Sequence, residues 1–157
     1  MIHLSTELQI ALSVVLTDAA NRRHEFAGFE HLLAALTLDD VTIKVLGHAG
    51  TDVPKLRARL LAFLDQDAPT IPDGADVEPQ LSRGVQRALA RAAAHVEGSG
   101  REVITGPDVV VALFQEPDCF AVHFLEEQGV QRIDVLNYLA HGVAKLDPSG
   151  SSAAMPA

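Results

Sequence analysis

Apolar positions along this chain recur mainly with helical spacing. In the first stretch, a spacing of i, i+4, i+7, i+8 and i+11 places a stripe of aliphatic side chains on one face of a helix that runs to about Asn21. The stripe consists of Leu8, Leu12, Val15, Leu16 and Ala19. Ser5 precedes it and is predicted to cap the helix, because its hydroxyl oxygen can accept a hydrogen bond from a first-turn amide. No stretch alternates convincingly with period two, so the pattern predicts an all-α protein.

A loop followed by a short apolar helix lies at the centre of the first half. Gly28 precedes this helix, and Glu30 falls in its first turn, where a carboxylate suits the positive end of the helix dipole. The pattern predicts that this helix runs to Leu38 and that a third helix, capped by Asp40, ends at Gly50. A fourth helix follows, and each of the four has an apolar face that must be covered.

The second half of the chain repeats this plan. Leu4-Ser5 recurs as Leu81-Ser82, a shift of 77 positions, and the register holds without gaps as far as Leu113. The first helix of this half is predicted to run from Ser82 to Glu97 and to be ended by Gly98. Beyond Leu113 a slip of two residues restores the match and pairs Gly50 with Gly129. We therefore predict two four-helix repeats, related by pseudo-two-fold symmetry, that bury their apolar sides against each other.

Turn residues and composition divide the chain. Repeat one is predicted to cover 4–65 and repeat two to cover 81–145. The stretch 66–80 is acidic and rich in proline, which breaks regular structure, so we interpret it as the connection between the repeats. Residues 146–157 are small, polar and contain proline, so we expect a flexible tail or linker there.

Charge and composition narrow the class of function. The net charge of −9 argues against nucleic acid and anionic membranes as partners, because both need a basic face. No long apolar run or secretion signal is present, and the one cysteine, Cys119, cannot form an internal disulfide. We therefore expect a soluble cytoplasmic protein. A P-loop and a Gly-x-Ser-x-Gly elbow are both absent from the sequence, so we expect no catalysis from this chain by itself.

Histidines and carboxylates near the first loop are the candidate chemistry. A metal-dependent site using His24, Glu25 and His31 is possible, but the i, i+4 histidine pair of metalloprotease helices is missing, so we expect no metal and no cofactor. For His31 and its equivalent in repeat two, Asp108, a capping role is favoured. Glu25 and Glu30 flank a tight loop that we expect to be exposed. They are either solvated carboxylates or anchors for a basic partner through charge-assisted hydrogen bonds.

Several groups of residues, in order and spacing, resemble the N-terminal domains of ClpA-type unfoldases. They are Arg23-His24-Glu25-Phe26, Glu30-His31-Leu32-Leu33, His95-Val96, Ser99-Gly100-Arg101, Thr105-Gly106, Arg132-Ile133-Asp134-Val135-Leu136-Asn137 and His141-Gly142. The resemblance covers about residues 4–145. It implies the Clp N-domain fold, a pseudo-two-fold pair of four-helix repeats, and the role of a docking module for adaptors and protein substrates.

The resemblance also implies a partner and a site. In ClpA-like proteins this domain binds the adaptor ClpS, and the full-length unfoldase works with the protease ClpP. The family's contact surface implies Glu25, Glu30 and Ser82 as partner-binding residues. The ClpC branch reads phosphoarginine with a glutamate in each repeat's short helix, but Pro107 stands at the second of these positions, which favours the ClpA branch. The isolated domain is expected to be a monomer.

The biological setting has two interpretations. The chain is either the N-domain of a longer ClpA-like unfoldase or a free-standing Clp-N accessory protein that modulates the Clp protease assembly. The ATPase modules of the family are absent from the sequence. The composition of 148–157, typical of a flexible linker, favours the first interpretation.

Overall fold

The structure, a computed structural model, describes residues 2–66, 68–72 and 78–142. The first half contains β1 (His3–Leu4), α1 (Thr6–Asn21), β2 (Phe26–Ala27), α2 (Phe29–Leu36), α3 (Asp40–His48) and α4 (Val53–Gln66). The second half contains β3 (Gln80–Leu81), α5 (Arg83–Gly98), β4 (Val103–Ile104), α6 (Gly106–Leu113), α7 (Phe120–Glu127) and α8 (Arg132–His141).

The internal repeat is visible in the bounds of these elements. The shift of 77 residues carries β1, α1, β2 and α2 onto β3, α5, β4 and α6 without a change at either end. After the two-residue slip, α3 corresponds to α7, and the first ten residues of α4 correspond to α8. The predicted all-α fold of two pseudo-two-fold-related four-helix repeats is therefore confirmed.

Within the described ranges, four short strands join the repeats, and they were not predicted. β1 pairs in parallel with β4, and β2 pairs in parallel with β3. The 77-residue shift converts one pair into the other. In each repeat, the strand before the first helix pairs with the strand before the second helix of the other repeat. Two residues are too few for an alternating pattern to be recognised in a sequence.

The helix caps follow the prediction at most positions. The hydroxyl oxygens of Ser5 and Ser82 accept hydrogen bonds from the amides three residues on, at 3.1 and 3.2 Å. Gly50 and Gly129 have φ of 98° and 78°, the left-handed conformation expected after a helix end. Each repeat thus has a serine cap at the start of its first helix and a left-handed glycine after its third.

Three predicted helix ends are corrected by the structure. Asp39 rather than Asp40 caps α3, because Asp39 is the residue with extended backbone and its carboxylate accepts the amide of Thr42. The second helix ends at Leu36, two residues earlier than predicted. Helix α5 continues through Gly98, and the left-handed glycine after it is Gly100.

One aliphatic core runs through both repeats. Its largest fully buried side chains are Leu8, Leu32, Leu33, Leu36, Leu46, Leu56, Leu60, Leu64, Leu113, Leu125, Val15 and Val85. The short helices α2 and α6 lie at its centre, since α2 contacts α1, α4, α5, α6 and α7. Burial of all of α6, and of α2 from His31 to Leu36, accounts for much of the stability that hydrophobic burial supplies.

Parts of the predicted organisation lie outside the described residues. These are the predicted tail at 146–157, the end of repeat two at 143–145, and positions 67 and 73–77 of the connection. Within the described part of the connection, the amide of Ile71 donates to the carbonyl of Arg23 at 2.6 Å. No helix in the described ranges combines the length and the apolarity needed to cross a membrane.

Candidate functional site

The β2–β3 pair brings the sequence-predicted site residues to one region. The amide of Gln80 donates to the carbonyl of Glu25 at 3.0 Å, and the amide of Ser82 donates to the carbonyl of Ala27 at 3.0 Å. Glu25 and Ser82, one from each repeat, therefore lie at the two ends of the same short ladder. Glu30 follows in the first turn of α2, directly after this ladder.

The starts of α2 and α5 pack against each other beside the ladder. The ring of Phe29 lies so close to Gly84 that a Cβ atom placed there would be 2.4 Å from the ring's Cζ atom. Such contact requires glycine on α5 and fixes the beginning of α2 relative to Ser82. The region is thus held by backbone pairing on one side and by close packing on the other.

Glu25 and Glu30 occupy different environments. Glu25 is exposed, as predicted. Glu30 is half-buried, and its carboxylate accepts the amide of Ala121 at 3.2 Å, in the first turn of α7. The prediction of exposure is therefore wrong for Glu30, because its carboxylate serves as a cap for a helix of the other repeat. Burial raises the pKa of Glu30, and the hydrogen bond from Ala121 opposes that shift.

Two exposed phenyl rings adjoin the carboxylates and were missed by the sequence analysis. Phe26, next to Glu25, is 54% exposed, and so is Phe120, next to the residue that binds Glu30. Large exposed aromatics beside charged groups are typical of protein interfaces. Periodicity could not have revealed them, since exposure depends on which elements pack against each helix.

His24 and His31 form a buried pair behind this surface. Their rings are 2% and 5% exposed, and His24 Nδ1 lies 2.7 Å from His31 Nε2. The amide of Gly28 donates to His31 Nδ1 at 3.1 Å, so that nitrogen is an acceptor and Nε2 carries the proton. His31 thus closes the first turn of α2, which confirms its capping role. Asp108 closes α6 in the same way by accepting the amide of Thr105 at 2.9 Å.

The pair's geometry does not suit a metal site. The facing nitrogens are bound to each other, and Gly28 occupies the remaining nitrogen of His31. Burial lowers the pKa of His31 to about 4, and burial also lowers the pKa of His24. Across the described ranges, no three His, Cys, Asp or Glu side chains are grouped so that they could hold a metal ion.

Cys119 lies at the start of α7 with its side chain buried. Burial raises the pKa of this thiol to about 12, with smaller contributions from neighbouring carboxylates. A nucleophilic cysteine needs a thiolate near neutral pH, so this thiol has a structural role.

A second exposed apolar feature is a groove between α1 and the α2–α3 junction. Its volume is about 450 Å³. The groove presents four exposed apolar side chains together with acidic ones; its members include Ile10, Val14, Leu38, Val41, Glu7, Asp39 and Asp40. The sequence analysis did not identify it, because its walls come from separate helices.

The family is established by comparison with known proteins. Residues 3–128 match the model of the Clp repeat (R) N-terminal domain, and the chain belongs to this family. It is also similar to a ClpA homolog protein of Fuscovulum blasticum, with 40% identity over 148 residues. That alignment covers 92% of this chain and 18% of the relative, so the chain spans a small part of that protein's length. The resemblance drawn from the sequence is confirmed.

Solved structures with low sequence identity share the fold. The N-terminal domain of ClpD from Arabidopsis thaliana has 18% identity and a TM-score of 0.64, with 87% of this chain and 94% of that chain covered. A ClpV N-domain in complex with a VipB peptide has 18% identity and a TM-score of 0.68, with 88% and 85% covered. Clp N-domains are non-catalytic domains, and the ClpV example binds a partner peptide.

Proposed function

We propose that this domain docks a ClpS-type adaptor for a ClpA-like, ATP-dependent unfoldase in the cytoplasm and thereby directs substrates to ClpP. The observation that best supports the proposal is the β2–β3 ladder, which brings Glu25 of one repeat and Ser82 of the other to its two ends. A partner that contacts both residues recognises a surface built from both repeats rather than a single helix. Family membership supports a docking role for the domain.

The chemistry of this surface suits a basic partner. The exposed carboxylate of Glu25 can accept charge-assisted hydrogen bonds from lysine or arginine side chains. Phe26 beside it offers apolar area to be buried on binding. The net charge of −9 favours approach of a positively charged surface and makes association sensitive to salt.

The pseudo-symmetry offers a second, non-equivalent surface. At the β1–β4 pair, Glu102 and Ser5 occupy the positions of Glu25 and Ser82. There, however, Pro107 replaces the second carboxylate and Val103 replaces the exposed phenyl ring. We therefore propose one adaptor per domain, bound at the β2–β3 pair.

Calorimetric titration of the ClpS-type adaptor of the same organism tests this proposal. Saturable one-to-one binding that weakens with salt is expected for the unaltered domain. Glu25→Lys is expected to abolish binding, because it reverses the exposed charge at the ladder. Glu102→Lys makes the same change at the pseudo-equivalent position and should leave affinity unaltered. Equal losses in the two variants would contradict the site.

The role of Glu30 needs a milder substitution. Because its carboxylate caps α7, Glu30→Lys would place a cation at a positive helix end and disturb the fold. Glu30→Gln keeps an oxygen for the amide of Ala121 and removes the charge. Weaker binding with unchanged helical content would support direct contact with the adaptor, whereas unchanged affinity would restrict Glu30 to its structural contact.

Two other outcomes redirect the proposal. Absence of adaptor binding at low and moderate salt would move the docking function to the groove between α1 and the α2–α3 junction, with a peptide segment of a substrate as its occupant. A free-standing accessory protein that modulates the Clp assembly is the alternative setting. ATPase modules encoded downstream of Ala157 in the natural reading frame would eliminate that alternative.

A further inference from the structure

The same position in the two repeats is filled by two different chemistries. In repeat two, Arg101 and Asp108 form an ion pair with an Nη2–Oδ1 distance of 2.6 Å. In repeat one, the 77-residue shift places His24 and His31 at these positions, and they form the 2.7 Å imidazole pair. In both repeats the second residue accepts the amide that starts the short helix. Only the histidine pair can change its charge in mildly acidic conditions.

The histidine pair is satisfied only when both rings are neutral. The Gly28 amide donates to His31 Nδ1, and the protonated Nε2 of His31 donates to His24 Nδ1. A proton added to His31 Nδ1 would face the amide hydrogen of Gly28. A proton added to His24 Nδ1 would face the hydrogen of His31. Either addition therefore breaks a hydrogen bond within a buried chain.

Charged groups of α1 and α4 surround the pair. Asp18 favours the protonated form of both rings, and Asp65 favours that of His24. Arg22, which binds both carboxylates, disfavours protonation of both rings. Arg57 of α4 lies with His31, Asp18 and Arg22 along a cavity of about 230 Å³, which gives solvent protons a route toward the ring. On α2 itself, the half-buried Glu30 follows the same loop. Burial is the largest influence on the pKa of both rings and lowers it, ahead of each of the neighbouring charges.

We infer that His24 and His31 are positioning residues for the proposed docking surface, and that their protonation releases the loop before α2 and weakens adaptor binding in acid. The part that concerns the adaptor rests on the proposed function. Residues 24–31 contain the pair, Glu25, Phe26 and Glu30, so a release of the pair moves the proposed contacts directly.

Repeat two supplies a matched control. The double variant His24→Arg/His31→Asp transfers the ion pair of repeat two into repeat one and removes titration above the ordinary carboxylate range. His31→Asn is a second variant, and it introduces no ion pair. It should still fold, because the amide oxygen of asparagine can accept the hydrogen bond from the Gly28 amide. Neither substitution alters Glu30 or the adaptor, so their contributions to a pH profile are common to all three proteins.

The direct readout is the protection factor of the Gly28 amide in hydrogen exchange measured by NMR. In the released loop a ring has the ordinary histidine pKa of about 6.5, whereas in the closed loop it is kept neutral. Lowering the pH from 7 to 5 therefore favours the released loop over the closed loop by a factor of about 25. The protection factor of Gly28 should therefore fall by about 25-fold or more in the wild type. In the His24→Arg/His31→Asp variant it should stay nearly constant, and in His31→Asn, which keeps His24, it should fall less than in the wild type. An equal fall in all three proteins, or no fall in the wild type, overturns the inference.

Adaptor titration over the same pH range adds the functional readout. Wild-type affinity should fall more steeply than that of either variant, and parallel profiles would contradict the link between the pair and docking. If the adaptor binds none of the proteins at pH 7, the proposed function fails. The Gly28 protection factor then still decides whether the pair controls the loop.

Discussion

The buried histidine pair predicts a specific loss of folding stability in mild acid. Burial lowers the pKa of His31 from 6.5 to about 4 in the folded protein, so the folded state binds fewer protons than the unfolded state between these values. The contribution of His31 to the free energy of unfolding is therefore fully present above about pH 6.5. It falls as the pH decreases toward 4 and levels off below that. His24 shifts in the same direction and adds to the effect.

The magnitude follows from the shift. Each pKa unit corresponds to about 1.4 kcal/mol, so His31 alone should remove about 2 kcal/mol of stability between pH 7 and pH 5 and about 3 kcal/mol by pH 4. For a domain of this size, whose total stability is on the order of 5–15 kcal/mol, a loss of that order is easily measured.

Urea unfolding followed by circular dichroism at a series of pH values provides the assay. The wild type should lose stability between pH 7 and pH 5, with an unchanged dependence on urea, while the His24→Arg/His31→Asp variant should lose much less. Carboxylates elsewhere titrate equally in the two proteins, so the difference between the profiles isolates the pair. Coincident profiles would refute the assignment of the rings as a neutral, acid-sensitive pair.

Two further predictions concern packing and reactivity. Gly84→Ala should lower the free energy of unfolding by about 1–3 kcal/mol, because the new Cβ would strike the ring of Phe29. Gly98→Ala on the same helix meets no neighbouring atom and should be neutral or stabilising by up to about 1 kcal/mol; equal effects in urea unfolding would contradict the contact. Cys119 should resist iodoacetamide in the native protein near neutral pH and react once urea unfolds it. Rapid native labelling, read by mass spectrometry, would show that the thiol is accessible.

The two repeats show how one fold tolerates different chemistry at matched positions. An imidazole pair and an arginine–carboxylate pair close the same turn, since each supplies an acceptor to the amide that begins the short helix. Their pH responses differ, because a guanidinium and a carboxylate keep their charges where an imidazole changes. Internal duplication has thus provided the control needed to test the first repeat.

Much of the fold could be predicted because its signals are local. Periodic apolar positions, serine caps and left-handed glycines act over three to five residues, so the spacing along the chain reports them directly. The ungapped shift of 77 positions then indicated the pseudo-symmetry before any contact was known. The capping roles of His31 and Asp108 were predictable for the same reason, since each acceptor lies three residues after its donor.

The remaining features were decided only by the tertiary structure. The exchange of short strands, which brings Glu25 and Ser82 to the two ends of one ladder, joins segments separated by more than fifty residues. Glu30 binds an amide 91 positions away, so no local pattern could separate it from the exposed Glu25. The exposure of Phe26 likewise depends on which helices pack nearby. The sequence by itself determined the helices and their repetition through local chemistry, while long-range packing determined which side chains form the candidate docking surface.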